Sequence, residues 1–117
     1  MPVKAVHMTD AQQIRDPFDI IFLSVKSYDT EWAAHFAKRF LAPNGIMVSA
    51  QNCMNDHLIA SIVGYNREVA CVVSGISVAL WEPGHVQRRR DPTGPEHKVF
   101  RVGELHGKIT PRVEELA

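Results

Sequence analysis

An uninterrupted apolar run that ends in a lysine is the strongest constraint on the fold of this chain. Residues Ile20 to Leu23 are all apolar, and Val25 continues the run up to Lys26. A strand with one face in water would alternate polar and apolar residues, so the run predicts a strand buried on both faces, as in parallel sheets. Ligands of open α/β sheets bind beyond the carboxyl ends of the strands, which is where Lys26 falls.

A helix is predicted directly after this strand. Asp29 and Thr30 have side-chain oxygens suited to capping a first helical turn. From Glu31 to Leu41 apolar residues recur every three or four positions, which predicts an amphipathic helix with Trp32 and Phe36 in the core. The segment Pro43-Asn44-Gly45 is expected to end it.

The same pattern then repeats along the chain. A second apolar strand, Ile46 to Ala50, is followed by Gln51 and Asn52. The next elements are a helix over His57 to Val63, capped by Asn55 or Asp56, and a third strand from Val69 to about Val73. The order strand, helix, strand, helix, strand with short connections predicts right-handed crossovers and a parallel sheet that carries helices on its faces.

After Gly75 the chain no longer shows the alternation of strands and helices. A β-hairpin is predicted from His85 to Arg90 and Lys98 to Val102, on either side of the turn-rich segment 91–95. Thr110 and Pro111 then predict a helix that begins at Arg112.

Composition limits the class of protein. The chain has 117 residues, of which 45% are hydrophobic, which suits one globular domain. Thirteen basic residues balance thirteen acidic ones, so no overall field attracts nucleic acid or an acidic membrane. No apolar segment approaches the roughly 18 residues of a membrane helix, and Cys53 and Cys71 are expected to be reduced thiols. We therefore expect a soluble, cytoplasmic protein.

Lys26 and Asn52 form the strongest candidate site. They follow two strands joined by one crossover, so both should emerge at the same sheet edge, close enough to share a ligand. Each has an ordinary alternative: Lys26 as a solvated lysine, and Asn52 as a turn or capping residue. The six histidines show no metal-ligand spacing, so no metal site is expected.

The two strand ends also carry a family resemblance. The run from Phe18 to Thr30, followed by Ser49-Ala50-Gln51-Asn52, resembles the two most distinctive motifs of the ketopantoate reductase (2-dehydropantoate 2-reductase) family. The segments from Val102 to Gly107 and from Thr110 to Arg112 resemble the hairpin and helix start that close that family's nucleotide-binding domain. The resemblance covers nearly the whole chain and implies an incomplete Rossmann-like α/β sheet with flanking helices and a C-terminal β-hairpin.

The resemblance implies NADPH-dependent reduction of a 2-keto acid such as ketopantoate, a step toward pantothenate and coenzyme A. Lys26 would donate a proton to the keto oxygen, and Lys26 and Asn52 would both contact substrate and cofactor. Ser27, Asp29 and Leu80 correspond to further cofactor-facing positions.

Three features depart from the family pattern. The seven glycines never form the GxG of a pyrophosphate-binding turn, and the family's C-terminal helical domain is not represented in these 117 residues. The resemblance therefore implies a single partial nucleotide-binding domain, residues 1–117, without the first βα unit. Cys53 stands where the family usually has glycine, so the resemblance implies either strain in a turn with an unusual backbone conformation or crowding of the cofactor.

Two hypotheses follow. One is a segment of a ketopantoate-reductase-like enzyme that is not competent alone; the other is a stand-alone binding or interaction module without catalysis. In a doubly wound sheet the missing first strand would lie beside the strand that ends at Lys26. The edge of that strand is therefore expected to be unpaired, and self-association through it is predicted.

Overall fold

A mostly parallel four-stranded sheet forms the centre of the computed structural model, which describes residues 4–89 and 97–117. The strand order is β1-β2-β3-β6, in which β1, β2 and β3 are parallel and β6 is antiparallel to β3. The other two strands, β4 and β5, form a separate antiparallel hairpin. The strands are β1 (Phe18–Leu23), β2 (Leu41–Ser49), β3 (Glu68–Val73), β4 (Val78–Glu82), β5 (His85–Arg88) and β6 (Phe100–Gly103).

Helices cover the two faces of the sheet unequally. Helix α1 (Thr30–Lys38) and helix α2 (Asp56–Val63) pack on one face, over a core that includes Leu23 and Met47. Helix α3 (Pro111–Leu116) lies on the other face, where Val113 and Leu116 contact a second apolar cluster. The predicted α/β fold with a parallel sheet and flanking helices is therefore confirmed.

The first strand is less buried than its apolar sequence predicted. Among residues 4–89 and 97–117 it pairs only with β2 and forms one edge of the sheet, and of its six residues only Leu23 is buried. The expectation of burial on both faces was wrong because α3 packs against β2, β3 and β6 and leaves the corresponding face of β1 uncovered. The predicted position of β1 at an unpaired edge is confirmed for the described residues.

Two predicted boundaries also differ. Helix α1 ends at Lys38, and Pro43-Asn44-Gly45 lies inside β2, where the register with β1 is irregular. Gly45 permits this arrangement, since a Cβ there would lie 2.8 Å from the carbonyl oxygen of Phe18. The backbone of β1 therefore passes too close for any side chain at this position.

The predicted hairpin has different partners. His85 to Arg88 pairs with β4 across the turn at Pro83-Gly84, whereas β6 adds to the main sheet beside β3. The turn predicted at 91–95 lies outside the described residues. Turn-forming residues indicate where a chain reverses, but the pairing itself depended on which exposed strand edge was available to β6.

Helix α3 is short, and a partly buried ion pair anchors it. The guanidinium of Arg112 donates to both carboxylate oxygens of Glu104, from Nε at 2.7 Å and from Nη2 at 2.5 Å, and also to the carbonyl of Asn66. These charge-assisted bonds, together with one from the Thr110 hydroxyl, lower the pKa of Glu104 to about 2. The helix start is thereby tied to the loop before β3.

A second carboxyl group in this region has the opposite environment. Glu68, the first residue of β3, is fully buried, and neither of its carboxyl oxygens has a hydrogen-bond partner among the described residues. Burial, with the nearby carboxylates of Asp56 and Glu104, raises its pKa to about 8. Glu68 is therefore held as the neutral acid at neutral pH.

We expect these two carboxyl groups to give stability a maximum in mildly acidic solution. Glu104 loses its stabilising contribution as pH falls from about 4.5 to about 2, because over this range the unfolded chain takes up a proton that the folded state does not bind. Glu68 retains a proton that the unfolded chain releases, so stability declines as pH rises from about 4.5 to about 8.

Urea unfolding as a function of pH tests both assignments. Glu68→Gln should remove most of the decline on the basic side and raise the free energy of unfolding at alkaline pH by roughly 1–3 kcal/mol. Glu104→Gln should instead remove the acid-side loss and destabilise the chain at neutral pH. A Glu68→Gln profile that still falls toward alkaline pH like the parent profile would contradict the assignment.

Candidate active site

A cleft of about 350 Å³ opens at the carboxyl ends of β1, β2 and β3. Both Lys26 and Asn52 lie on it, so the predicted meeting of these residues at one sheet edge is observed. Apolar side chains from all three strand ends form part of its wall. The lining residues are Ser24, Val25, Lys26, Ser27, Tyr28, Ala50, Gln51, Asn52, Cys53 and Val73.

Lys26 stands at the entrance to a tight turn. Its own backbone is extended, and the 3₁₀ turn Ser27–Asp29 follows, closed by a 2.9 Å bond from the Asp29 amide to the Lys26 carbonyl. Helix α1 begins directly after this turn. The Lys26 side chain is exposed, so its ammonium is available to a ligand in the cleft.

Gln51 fixes the turn that carries Lys26. Its side-chain Nε2 donates to the Val25 carbonyl at 2.7 Å and to the Thr30 hydroxyl at 2.9 Å, and only 7% of the residue is exposed. The end of β2 is thereby joined to both ends of the turn after β1. Thr30 was predicted as a helix cap, but its hydroxyl serves this cross-link, and no side-chain bond caps α1.

Asn55 makes a second cross-link between the same two loops. Its Oδ1 accepts a 2.7 Å hydrogen bond from the Ser27 hydroxyl, and its Nδ2 donates to the Asn52 carbonyl at 3.0 Å. Ser27, predicted to face the cofactor, is therefore engaged with Asn55, the residue that precedes α2. Sequence reasoning treated Gln51 and Asn55 only as strand-end and capping residues. The sequence did contain a signal for these cross-links, namely an amide residue on either side of Asn52: Gln51 directly before it and Asn55 three positions after it.

Cys53 has the backbone conformation expected at a glycine position. Its φ angle is 72°, and it is the only non-glycine residue with positive φ in the described part of the chain. An L-residue in this region is strained because its Cβ approaches the neighbouring carbonyl oxygen. The strained residue lies directly after Asn52 on the cleft wall.

The remaining predicted site residues lie farther from the cleft wall. Asp29 closes the 3₁₀ turn and is not among the lining residues, although it lies only three positions after Lys26. Leu80 lies exposed on β4, in the separate hairpin, and does not line the cleft. The cofactor contacts of both residues stay predictions.

A neighbouring cleft of about 300 Å³ shares Gln51, Asn52 and Cys53 with the first. It extends toward Asp56 and Cys71, where burial and the Asp56 carboxylate raise the pKa of the Cys71 thiol. Over residues 4–89 and 97–117, no group of three or more His, Cys, Asp or Glu side chains is arranged to hold a metal ion. Within the same ranges, none of the helices has the length and apolar character needed to cross a bilayer.

Comparison with known families agrees with this geometry. The model of the ketopantoate reductase PanE/ApbA family matches residues 2–95, which is most of the chain and includes both strand ends at the cleft. The chain belongs to the ketopantoate reductase family. No curated protein sequence matches it.

Solved structures agree on the fold. A candidate ketopantoate reductase from Ralstonia solanacearum MolK2 has a TM-score of 0.67 at 20% identity, over 87% of this chain and 36% of that one. The PanE/ApbA family ketopantoate reductase from Ralstonia eutropha JMP134 has a TM-score of 0.56 at 29% identity, over 64% of this chain and 25% of that one. The 2-dehydropantoate 2-reductase from Geobacter metallireducens GS-15 has a TM-score of 0.65 at 23% identity, over 87% of this chain and 32% of that one. The chain thus spans about a quarter to a third of these family structures.

Removal of the Gln51 cross-link should lower the free energy of unfolding measurably. Gln51→Leu removes two hydrogen bonds and leaves the Val25 carbonyl unpaired, so we expect a loss of roughly 1–3 kcal/mol in the free energy of unfolding. Hydrogen exchange of the amides from Lys26 to Thr30 should accelerate. The exposed Gln13→Leu is the matched control, and an equal change in both variants would argue against the cross-link.

The strain at Cys53 should be relieved by glycine. Cys53→Gly should raise the free energy of unfolding by about 0.5–1 kcal/mol, which is the left-handed strain less the greater entropy of unfolded glycine. Cys53→Ala keeps the Cβ and should show no gain. Thermal and urea unfolding of the two variants separate the effect of backbone strain from the loss of the thiol.

Proposed function

We propose that this chain carries the proton-donating part of the active site of an NADPH-dependent 2-keto acid reductase, with 2-dehydropantoate as the substrate that is reduced to pantoate. The observation that carries the proposal is the presence of Lys26 and Asn52 on one cleft, at the sheet edge where ligands of this fold class bind. Membership of the ketopantoate reductase family supports the choice of reaction.

The residues of the cleft suit reduction of a ketone. Negative charge builds on the keto oxygen as the carbonyl carbon is reduced, and an ammonium beside that oxygen both stabilises the charge and supplies the proton. We propose Lys26, which lines the cleft, for this role. The Lys26 backbone is extended at the end of β1, and the turn behind it is cross-linked. The side chain that carries the ammonium therefore starts from a fixed backbone position.

Asn52 has a complementary role in the proposal. Its amide can donate one hydrogen bond and accept another, which suits a group that orients a sugar hydroxyl and a substrate carboxylate or hydroxyl at once. The hydrogen bond from Asn55 to its carbonyl fixes the backbone from which this amide projects. Ser27 and Asp29, in the turn after Lys26, are proposed as additional cofactor contacts, and Leu80 as a more distant one.

The cleft fits the reactive end of NADPH better than its phosphates. Val25, Ala50 and Val73 offer an apolar wall suited to a flat ring, and Lys26 and Asn52 stand beside it. Bound NADPH supplies the hydride. The glycines of this sequence form no GxG, so no backbone cradle for the pyrophosphate is evident within it. We therefore propose that the chain alone orients the reacting groups weakly and turns over poorly.

A cytoplasmic location is part of the proposal. Both cysteines are free, one exposed and one buried, which suits a reducing compartment.

Titration of the isolated chain with 2-dehydropantoate, followed by NMR of its lysine side chains, tests the site. The Lys26 signal should shift on addition of the keto acid, and the shift should be larger when NADPH is present. Lys26→Ala should abolish binding, whereas Lys108→Ala, an exposed lysine that does not line the cleft, should not change it. An unchanged Lys26 signal at millimolar keto acid would refute the proposed site.

Turnover separates the proposal from its alternative, a binding module without catalysis. If NADPH is consumed by the chain within its natural polypeptide, Lys26→Ala should lower kcat by roughly 100-fold or more, because a general acid is lost. Lys26→Arg keeps the charge but donates a proton poorly, so it should retain binding and lose rate. Binding that survives Lys26→Ala unchanged would favour the non-catalytic module.

A further inference from the structure

The outer edge of β1 is an open strand edge flanked by apolar side chains. The strand pairs with β2 on one side only. On the other side, within the described residues, no backbone pairs with it, and the loop and turn hydrogen bonds of the N-terminal segment run between positions from His7 to Ile14. An unpaired row of amides and carbonyls is a template for another strand.

The backbone groups that face outward can be assigned. The Ala50 amide donates to the Leu23 carbonyl at 2.9 Å, so Leu23 turns its backbone toward β2. Successive residues of a strand alternate, so Phe22 and Ile20 turn their amides and carbonyls away from the sheet. These two residues are the hydrogen-bonding positions of the open edge.

Exposed apolar surface surrounds these positions. About half of each of Phe18, Phe22 and Trp32 is exposed. Trp32 stacks on Phe36 at 5.7 Å along the outer side of α1, and both line an apolar groove of about 400 Å³ together with Phe18 and Phe22. The prediction that Trp32 and Phe36 are simple core residues was wrong, since the sheet ends at β1 before it can cover them.

The opposite edge of the same sheet is formed by a shorter and more basic segment. Strand β6 has four residues, with Arg101 within it and Lys98 two positions before it. A short strand with basic side chains is how natural sheets prevent edge-to-edge pairing. Strand β1 has six residues with Asp19 as its only charge, so it is the edge that favours association.

We propose that the edge of β1 is the interface of a two-fold symmetric homodimer, in which the β1 strands of two copies pair antiparallel, with Ile20 of each copy opposite Phe22 of the other. This register matches the outward-facing backbone groups of both copies and sets an aromatic side chain against a β-branched one. A two-fold axis uses the same patch on both copies, so one open edge satisfies the other and leaves none exposed.

The available area indicates a weak dimer. With roughly 150–250 Å² for each aromatic side chain, the exposed halves of Phe18, Phe22 and Trp32 contribute about 300 Å² per copy. Stable interfaces begin at about 600 Å² per partner and weak, transient ones lie below that size, so this surface fits a transient dimer. The inference does not depend on the proposed enzymatic function.

Sedimentation over a concentration series tests the interface. The parent chain should form a reversible dimer, and Phe22→Lys should weaken its association by at least about tenfold, because a charge is placed at the centre of the paired edge. Phe100→Lys is the matched control: it makes the same substitution at a similarly exposed phenylalanine, 60% against 55%, on the opposite edge strand. This variant should associate like the parent chain.

Hydrogen exchange provides an independent measurement of strand pairing. The Ile20 and Phe22 amides should become more protected as the concentration of the parent chain rises, and position 22 should lose this dependence in Phe22→Lys. Circular dichroism checks that both variants remain folded. If Phe22→Lys fails to fold, the concentration dependence of the parent amides decides alone.

Several results would overturn the proposal. A parent chain that stays monomeric at millimolar concentration would show that the β1 edge does not bind a second copy. This would hold even if the edge bound a strand of another protein. If Phe100→Lys weakened association and Phe22→Lys did not, the result would indicate that β6 forms the interface and not β1. Dimerisation without protection of Ile20 and Phe22 would show apolar contact without strand pairing.

Discussion

Two buried amide side chains hold the candidate active site together. Gln51 joins the end of β2 to the turn after β1, and Asn55 joins the same turn to the backbone at Asn52. The strand ladder alone aligns β1 and β2 but leaves the loops beyond their ends free to move. Because Lys26 and Asn52 are both exposed, their relative position depends on these cross-links more than on packing of their own side chains.

Strand β1 connects the candidate site with the proposed interface. Its carboxyl end leads into Lys26, and its outer edge carries the outward-facing backbone groups of Ile20 and Phe22. A second strand along this edge would restrict the strand from which Lys26 projects. The position of β1 at the edge of the sheet is therefore a property that bears on both the stability and the chemistry of the chain.

The carboxyl groups of Glu68 and Glu104 have a different role. Glu104 is satisfied by Arg112 and anchors the short helix α3, whereas Glu68 is buried near the Asp56 carboxylate and stays protonated. The opposite directions of their pKa shifts arise from hydrogen bonding in one case and from desolvation in the other. Neither group lines the cleft of Lys26, so their titration affects stability and not the proposed proton transfer.

The local sequence determined the order of strands and helices and the convergence of Lys26 and Asn52, and the family resemblance implied the unusual backbone at Cys53. Apolar periodicity and strand-end polarity are local signals, and parallel pairing brings consecutive strand ends to one edge. Tertiary structure decided the rest. Pro43-Asn44-Gly45 became part of β2 because β1 lies against Gly45, and β6 joined β3 because that edge was open. The cross-links of Gln51 and Asn55 formed for the same reason: their partners are distant in sequence and meet only after the sheet has assembled.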